Sequence, residues 1–236
     1  MFNDNLLEDF IHKFFGYGNF KGKYWFIGME EGGGDSFTDI NRRLKSWDYR
    51  GKLELEDVAD YHFSIGIPDH FKDPVKLQRT WNKLIRILLA AEGIEIKLDD
   101  VREYQKSYLG RLNGDSCLIE LLPLPSPSTG SWLYSQYSRI PYLKSRKLYS
   151  QTCIPFRSIH IKEMLDHNEP KAVIFYSFSY KDYWQDILGF NFVSMNNGEY
   201  YMRQESNTLY IISMHPAAKG VSNDYFENLG RIISKS

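Results

Sequence analysis

The chain has 236 residues and a formal net charge of −1, from 29 Lys and Arg against 30 Asp and Glu. A 42% hydrophobic share supplies ample core, which excludes wholesale disorder. Near-zero charge argues against a protein that coats nucleic acid along its whole surface, and leaves room for a local basic groove.

In chain order, Asn3 or Asp4 opens a helix in which Leu6, Leu7, Phe10, Ile11 and Phe14 recur at helical spacing, and Gly16 stops it. Tyr24–Ile27 predicts a short buried strand that ends in Gly28 and a Gly32-Gly33-Gly34 loop. Residues 36–48 read as a helix, and 50–75, with Pro68 and Pro74, as irregular chain. Leu77, Trp81, Leu84, Ile85, Leu88 and Leu89 mark an amphipathic helix ending near Gly93, with a weaker helix over 98–109. Cys117–Leu122 predicts a second buried strand, ended by Pro123, and Pro155 the first turn of a helix over 155–167. Ala172–Tyr176 is a third strand, followed by a helix near 179–188 and a hairpin over 190–204 around Asn196-Asn197-Gly198. Leu209–Ser213 is a fourth strand that runs into His215-Pro216, and residues 223–234 close as a helix. Apolar strands separated by helices predict an α/β fold. The expected architecture is one domain over 1–236, a three-layer sandwich. Its central sheet is four-stranded and mainly parallel, with helices on both faces and a small β-hairpin.

Two cysteines, Cys117 and Cys153, are too few for a four-cysteine zinc or iron–sulfur site or a disulfide framework. No apolar run approaches the roughly 20 residues of a membrane-spanning helix. The first ten residues, MFNDNLLEDF, lack the basic and apolar regions of a signal peptide. The expectation is a cytoplasmic monomer, off the membrane, with no metal or other cofactor. Aromatic residues are abundant at 16%, more than core filling alone calls for.

Ligands of parallel α/β sheets bind beyond the carboxyl ends of the strands. Polar groups stand there in Gly28-Met29-Glu30-Glu31-Gly32, at Glu120 within the second strand, and in His215-Pro216-Ala217-Ala218-Lys219-Gly220. The glycine loop lacks the Gly-Lys-Ser/Thr of a P-loop and the spacing of a dinucleotide fingerprint, so alone it reads as a turn. Glu30 and Glu31 read as a solvated pair or as working acids, and His215 as structural or catalytic. Glu120 lies in a run of Cys, Leu and Ile, where a bare charge is costly, so it is paired or functional.

Taken together and in order, these segments resemble the uracil-DNA glycosylase superfamily. YWFIGMEEGG resembles the first motif, whose acidic residue activates water, and CLIELLPLP the strand that carries the base-reading side chain, usually Asn. KAVIFYSFSYKDYW resembles the penultimate strand and helix, and LYIISMHPAAKG the second motif, whose histidine touches the base. HFSIG, residues 62–66, resembles the segment that places a stacking phenylalanine. The resemblance spans residues 24–234. Where the first motif usually has Pro then Tyr or Gly, this chain has Glu31 and Gly32, so the acidic role falls on Glu30 by position or Glu31 by exposure. The resemblance implies catalysis by Glu30 or Glu31 with His215, and a base pocket of Gly28, Met29, Gly32, Phe63 and Glu120.

That assignment fits the chemistry of a C–N glycosidic bond. Its cleavage builds positive charge on the sugar, which a carboxylate stabilises, and negative charge on the base, to which a neutral imidazole donates. The base must leave the stack and be read in a snug pocket.

Residues 121–162 contain no Asp or Glu, where the chain's overall share places about five. They hold Arg139, Lys144, Arg146, Lys147, Arg157 and Lys162, interleaved with Trp132, Tyr134, Tyr137, Tyr142 and Tyr149. Such a segment reads as a DNA groove or as a solvated, tyrosine-rich surface. The expected DNA contacts are Ser126, Ser128, Arg139, Lys144, Arg146, Lys147, Lys219 and Val221. Finally, a carboxylate at Glu120 only accepts hydrogen bonds, which opposes uracil O4 and suits the N4 amino group of cytosine; the alternative is a Glu120 that is protonated or turned into a salt bridge, with uracil as the substrate. Gly32 and the long 29–62 segment leave room at C5. The expected substrate is a C5-modified cytosine such as the glucosylated hydroxymethylcytosines of phage DNA, similar to the action of glycosylases that defend bacteria. The alternatives are a uracil or deaminated-base repair enzyme, or an inactive DNA- or protein-binding member.

Overall fold

The computed structural model describes residues 1–236. Helix α1 (Asp4–Lys13) is capped by the Asn3 side chain, which accepts from Leu6 N at 3.2 Å. Then come β1 (Gly16–Gly18), β2 (Tyr24–Glu30), α2 (Phe37–Tyr49) and β3 (Leu55–Glu56). The segment expected to be irregular also holds α3 (Val58–Ser64), where the Asp57 side chain caps Ala59 and Asp60. Next are α4 (Arg79–Ala91), α5 (Leu98–Ser107), β4 (Ser116–Leu122) and the single turn α6 (Tyr134–Tyr137).

Helix α7 (Arg146–Asn168) corrects the helix expected over 155–167: Ser145 caps it, and it runs through Pro155. Proline removes the bond to the carbonyl four residues back. Gln151 and Pro155 both face solvent, so the freed carbonyl is not buried without a partner and the helix continues. The chain ends with β5 (Ala172–Tyr176), α8 (Lys181–Leu188), β6 (Val193–Met195), β7 (Tyr200–Glu205), β8 (Thr208–Ser213) and α9 (Asn223–Ile233).

All eight strands form one mixed sheet in the order β3-β1-β4-β2-β5-β8-β7-β6. The expected sheet of four strands is therefore too small. Strands β4, β2, β5 and β8 pair in parallel. The glycine-rich β1 adds an antiparallel edge on β4, with two-residue β3 beside it. The hairpin β6–β7 is also no separate element, because β7 pairs antiparallel with β8. Its connection uses Asn196 and Asn197 at positive φ, a conformation asparagine tolerates.

Alternating strand residues face two cores. Phe26, Leu118, Ile174 and Ile211 join the larger one with α1 to α5 and α9. Trp25, Ile27, Val173, Phe175 and Ile212 join the smaller one with the later part of α7 and with α8. From β2 the chain steps to β4 on one side, and β5 then lies on the other, so loops at the carboxyl ends of β2 and β5 diverge toward opposite faces. Such a divergence opens a crevice, the usual ligand position of a parallel sheet. No helix is long and apolar enough to cross a membrane.

Candidate active site

At that crevice lies a cavity of ≈ 590 Å³, within the size range of small-molecule sites. Met29, Glu30, Glu31, Gly32, Ser126, Ser128, Glu120 and His215 line it, so one pocket gathers all three catalytic candidates and most of the base-binding ones. Tyr17, Arg43, His62, Trp81, Tyr176 and Ser177 line it as well, and sequence reasoning did not single these out for the site. The rule that pointed to His215 also covers Tyr176, which ends β5, and Ser177, which follows it.

Glu30 and Glu31 leave β2 in different directions, each toward an arginine. Arg146 Nη1 donates to both Glu30 oxygens, at 2.6 Å to Oε1. Burial raises the Glu30 carboxyl above its ordinary value, against the pull of Arg146. Glu31 accepts from Arg43 Nη1 at 3.1 Å and from the Tyr17 hydroxyl at 3.0 Å. Arg43 is itself buried and also donates to Asp39, one helical turn away, at 3.0 Å. Both glutamates are thereby fixed at the mouth of the crevice.

Glu120 is held differently. Its Oε1 accepts from the Tyr176 hydroxyl at 2.9 Å, and its buried Oε2 has no partner. Gly28 makes this placement possible: a Cβ there would overlap the Tyr176 hydroxyl and come within 2.5 Å of Glu120 Oε2. Burial, with Glu31 and Glu30 nearby, pushes the Glu120 carboxyl up to about 8, so at neutral pH it is protonated. This is the protonated form, the alternative to the acceptor-only carboxylate. A neutral carboxyl has one donor and retains acceptors.

His215 stands edge-on to Tyr176, with ring centroids 5.6 Å apart. Burial lowers its pKa, favouring neutral imidazole. Its Nδ1 accepts from Ala217 N at 3.0 Å, which puts the remaining proton on Nε2. Neutral His215 is thus a hydrogen-bond donor through Nε2.

Phe63, the expected stacking residue, does not line the cavity. It lies on α3 rather than on a loop, 49% exposed, and its neighbour His62 takes the inward position. His62 Nδ1 bonds to Val58 O at 2.6 Å, and its ring meets Trp81 edge-on at 5.2 Å. Burial lowers the His62 pKa. Beyond this pair His70, Gln78 and Thr80 extend the cavity into a polar annex with an aromatic wall.

The basic segment divides. Arg157 is fully buried, donating to the carbonyls of Leu121, Ile11 and Glu120 at 2.6, 2.8 and 3.0 Å. Arg146 is committed to Glu30, to Ser126 Oγ at 2.5 Å, and to the carbonyls of Ser128 and Ser131, with its guanidinium 5.0 Å from the Trp132 ring centroid. Ser126 is buried and its hydroxyl is bonded within the same loop. Lys162 pairs with Asp166. Tyr134 and Tyr149 are buried, and Trp132, Tyr137 and Tyr142 pack against the core. Arg139, Lys144, Lys147 and Lys219 are exposed, and Val221 is half-buried, its carbonyl accepting from Lys83 Nζ at 3.4 Å. The absence of acids over 121–162 therefore reflects internal packing as much as an outward basic face.

Both cysteines are buried and free. The sequence matches no protein-family model, and no curated protein matches it.

Proposed function

We propose that this protein is a DNA glycosylase that hydrolyses the N-glycosidic bond of a flipped-out base, with a C5-modified cytosine such as glucosylated hydroxymethylcytosine as substrate. One observation carries the reading: a single crevice at the strand ends holds two glutamates, a neutral histidine that donates through Nε2, and a carboxyl oxygen without a partner. In this reading Glu30 or Glu31 stabilises the positive charge that develops on the sugar and orients water. His215 Nε2–H stabilises the negative charge on the departing base. Glu120 and Tyr176, bonded to each other, form part of the wall of the base pocket. The cavity is far larger than one pyrimidine needs, and Trp81, His70, Gln78 and Thr80 offer the mix of flat apolar and polar surface that a hydroxyl-rich C5 substituent fits. A Cβ at Gly32 would meet nothing within 4 Å, so that side of the mouth is open.

The test is to incubate the protein with DNA carrying glucosyl-hydroxymethylcytosine and with DNA carrying uracil, and to identify the released base by mass spectrometry. Release of the modified cytosine is expected. Uracil release without action on the modified DNA overturns the substrate assignment. A second reading, a DNA-binding protein without catalysis, draws on the ion pairing of both glutamates. Tight binding with no base released supports it.

In this reading the DNA meets the exposed cations of the segment that brings Arg146 to Glu30. Reversing Arg139, Lys144 and Lys147 together should weaken binding and flatten the slope of log affinity against log salt, by about 0.9 for each phosphate no longer neutralised. An unchanged slope makes these residues ordinary solvated surface.

A further inference from the structure

Small polar residues cap helices because their side chains take one of the first free amides. Asn3, Ser36, Asp57, Ser145 and Ser222 all do so in this chain. Ser177 stands at the same kind of place, between β5 and the helical turn over 178–180 that leads into α8, yet its hydroxyl caps nothing. Its backbone lies at φ 88° and ψ 114°, a region that residues other than glycine rarely adopt. Both of its backbone groups are occupied. The amide donates to Ser213 O at 3.0 Å, and the carbonyl accepts from Tyr180 N at 3.2 Å and from Trp184 Nε1 at 3.4 Å. The hydroxyl is the polar group that remains, and Ser177 lines the cavity.

Strand order fixes where in the cavity it stands. Strand β5 lies between β2, which ends at Glu30, and β8, which runs on to His215. Ser177 is therefore between the carboxylates and the imidazole. Their own partners lie elsewhere: arginines hold Glu30 and Glu31, and Ala217 N holds His215 Nδ1. Glycine would relieve the backbone here, and strain of this kind persists where a ligand needs the side chain that glycine lacks.

We propose that Ser177 is a catalytic residue of the hydrolysis, that its hydroxyl donates to O2 of the departing pyrimidine beside His215 Nε2–H, and that the strained backbone aims it there. When the C1′–N1 bond breaks, its electron pair leaves with the base and spreads onto O2, the carbonyl oxygen next to that bond. The oxygen of water bonds C1′, the proton it gives up passes to the glutamate, and solvent returns a proton to the base. O2 has two lone pairs, one for each donor. A donor already in place needs no reorganisation when the charge appears. Cytosine and uracil both carry O2, so Ser177 acts on the rate and not on the choice between them.

The donor role rests on the glycosylase reading and the strain does not, so two variants and two readouts separate them. Ser177→Gly removes the hydroxyl and the strain together, whereas Ser177→Ala removes the hydroxyl and keeps the strain. With DNA carrying glucosyl-hydroxymethylcytosine, both variants should lower the single-turnover rate of base release about 10²-fold, the usual loss for one donor to a developing anion. Their affinity for the same DNA should stay within about twofold of wild type, because the contact strengthens only as charge develops. In thermal unfolding Ser177→Gly should melt about 2–6 °C above wild type, and Ser177→Ala close to it. A full rate in either variant of an active protein overturns the donor role, and a rate loss matched by lost affinity makes Ser177 a binding contact instead. A melting temperature that does not rise in Ser177→Gly overturns the strained aiming. If wild type releases neither the modified cytosine nor uracil, the glycosylase reading fails and the donor role fails with it.

Discussion

Replacing Glu30 and Glu31 together by glutamine should cut single-turnover base release by about 10²–10⁴-fold, the usual worth of a group that meets charge developing in a transition state. Glutamine keeps the size of each side chain and its capacity to accept a hydrogen bond, and it removes the negative charge that the sugar cation needs. Arg146 keeps its bonds to Ser126, Ser128 and Ser131, and Arg43 keeps Asp39, so both arginines remain anchored in the variant. The two single variants then assign the role: the one that loses activity carries it. A double variant with full activity ends the mechanism. A melting curve of each variant separates lost chemistry from lost fold.

Arg157→Leu should destabilise the fold by about 3–5 kcal/mol, because each buried acceptor left without its donor costs roughly 1–3 kcal/mol. Burial lowers the guanidinium pKa to about 10, which still leaves it charged at neutral pH. Its nitrogens join α1, β4 and α7 through three carbonyls, and it lies 3.9 Å from the Phe15 ring centroid. Leucine fills part of the space and leaves those three buried acceptors without donors. Urea denaturation checks this, and an unchanged midpoint would mean that water or a neighbour satisfies the carbonyls.

The parts of this molecule that sequence made legible are those in which one signal dominates. Runs such as Tyr24–Ile27 and Ala172–Tyr176 are apolar on both faces because helices cover both, and they correctly marked strands of the central sheet. The edge strands were illegible. Gly16–Gly18 has a single side chain, Tyr17, too few to show an alternation, and Leu55–Glu56 is only two residues long. Their pairing comes from neighbours distant in the chain. The gathering of Glu30, Glu31, Glu120 and His215 followed from the strand-end rule, whereas the pairing of each acid did not. Arg43 and Arg146 reach the site from helices, and nothing local marks them as ion-pair partners. Phe63 failed for a local reason: α3 is helical there, so adjacent residues point about 100° apart and His62 takes the inner position.

The pocket is built from two kinds of support. Glu30, Glu120, Tyr176 and His215 stand on or just beyond the middle strands of an eight-stranded sheet, backed by two cores. His70, Gln78, Thr80 and Trp81 come from a surface connection and the first turn of α4. On the proposed function, chemistry and fit to the substrate are thus carried on mechanically separate parts. Exchange of residues in the connection can reshape what the cavity admits while the reacting groups keep their spacing, because loops tolerate change that packed strands do not. If the proposed function holds, a lineage built this way can follow a substrate whose decoration keeps changing without having to reinvent the reaction.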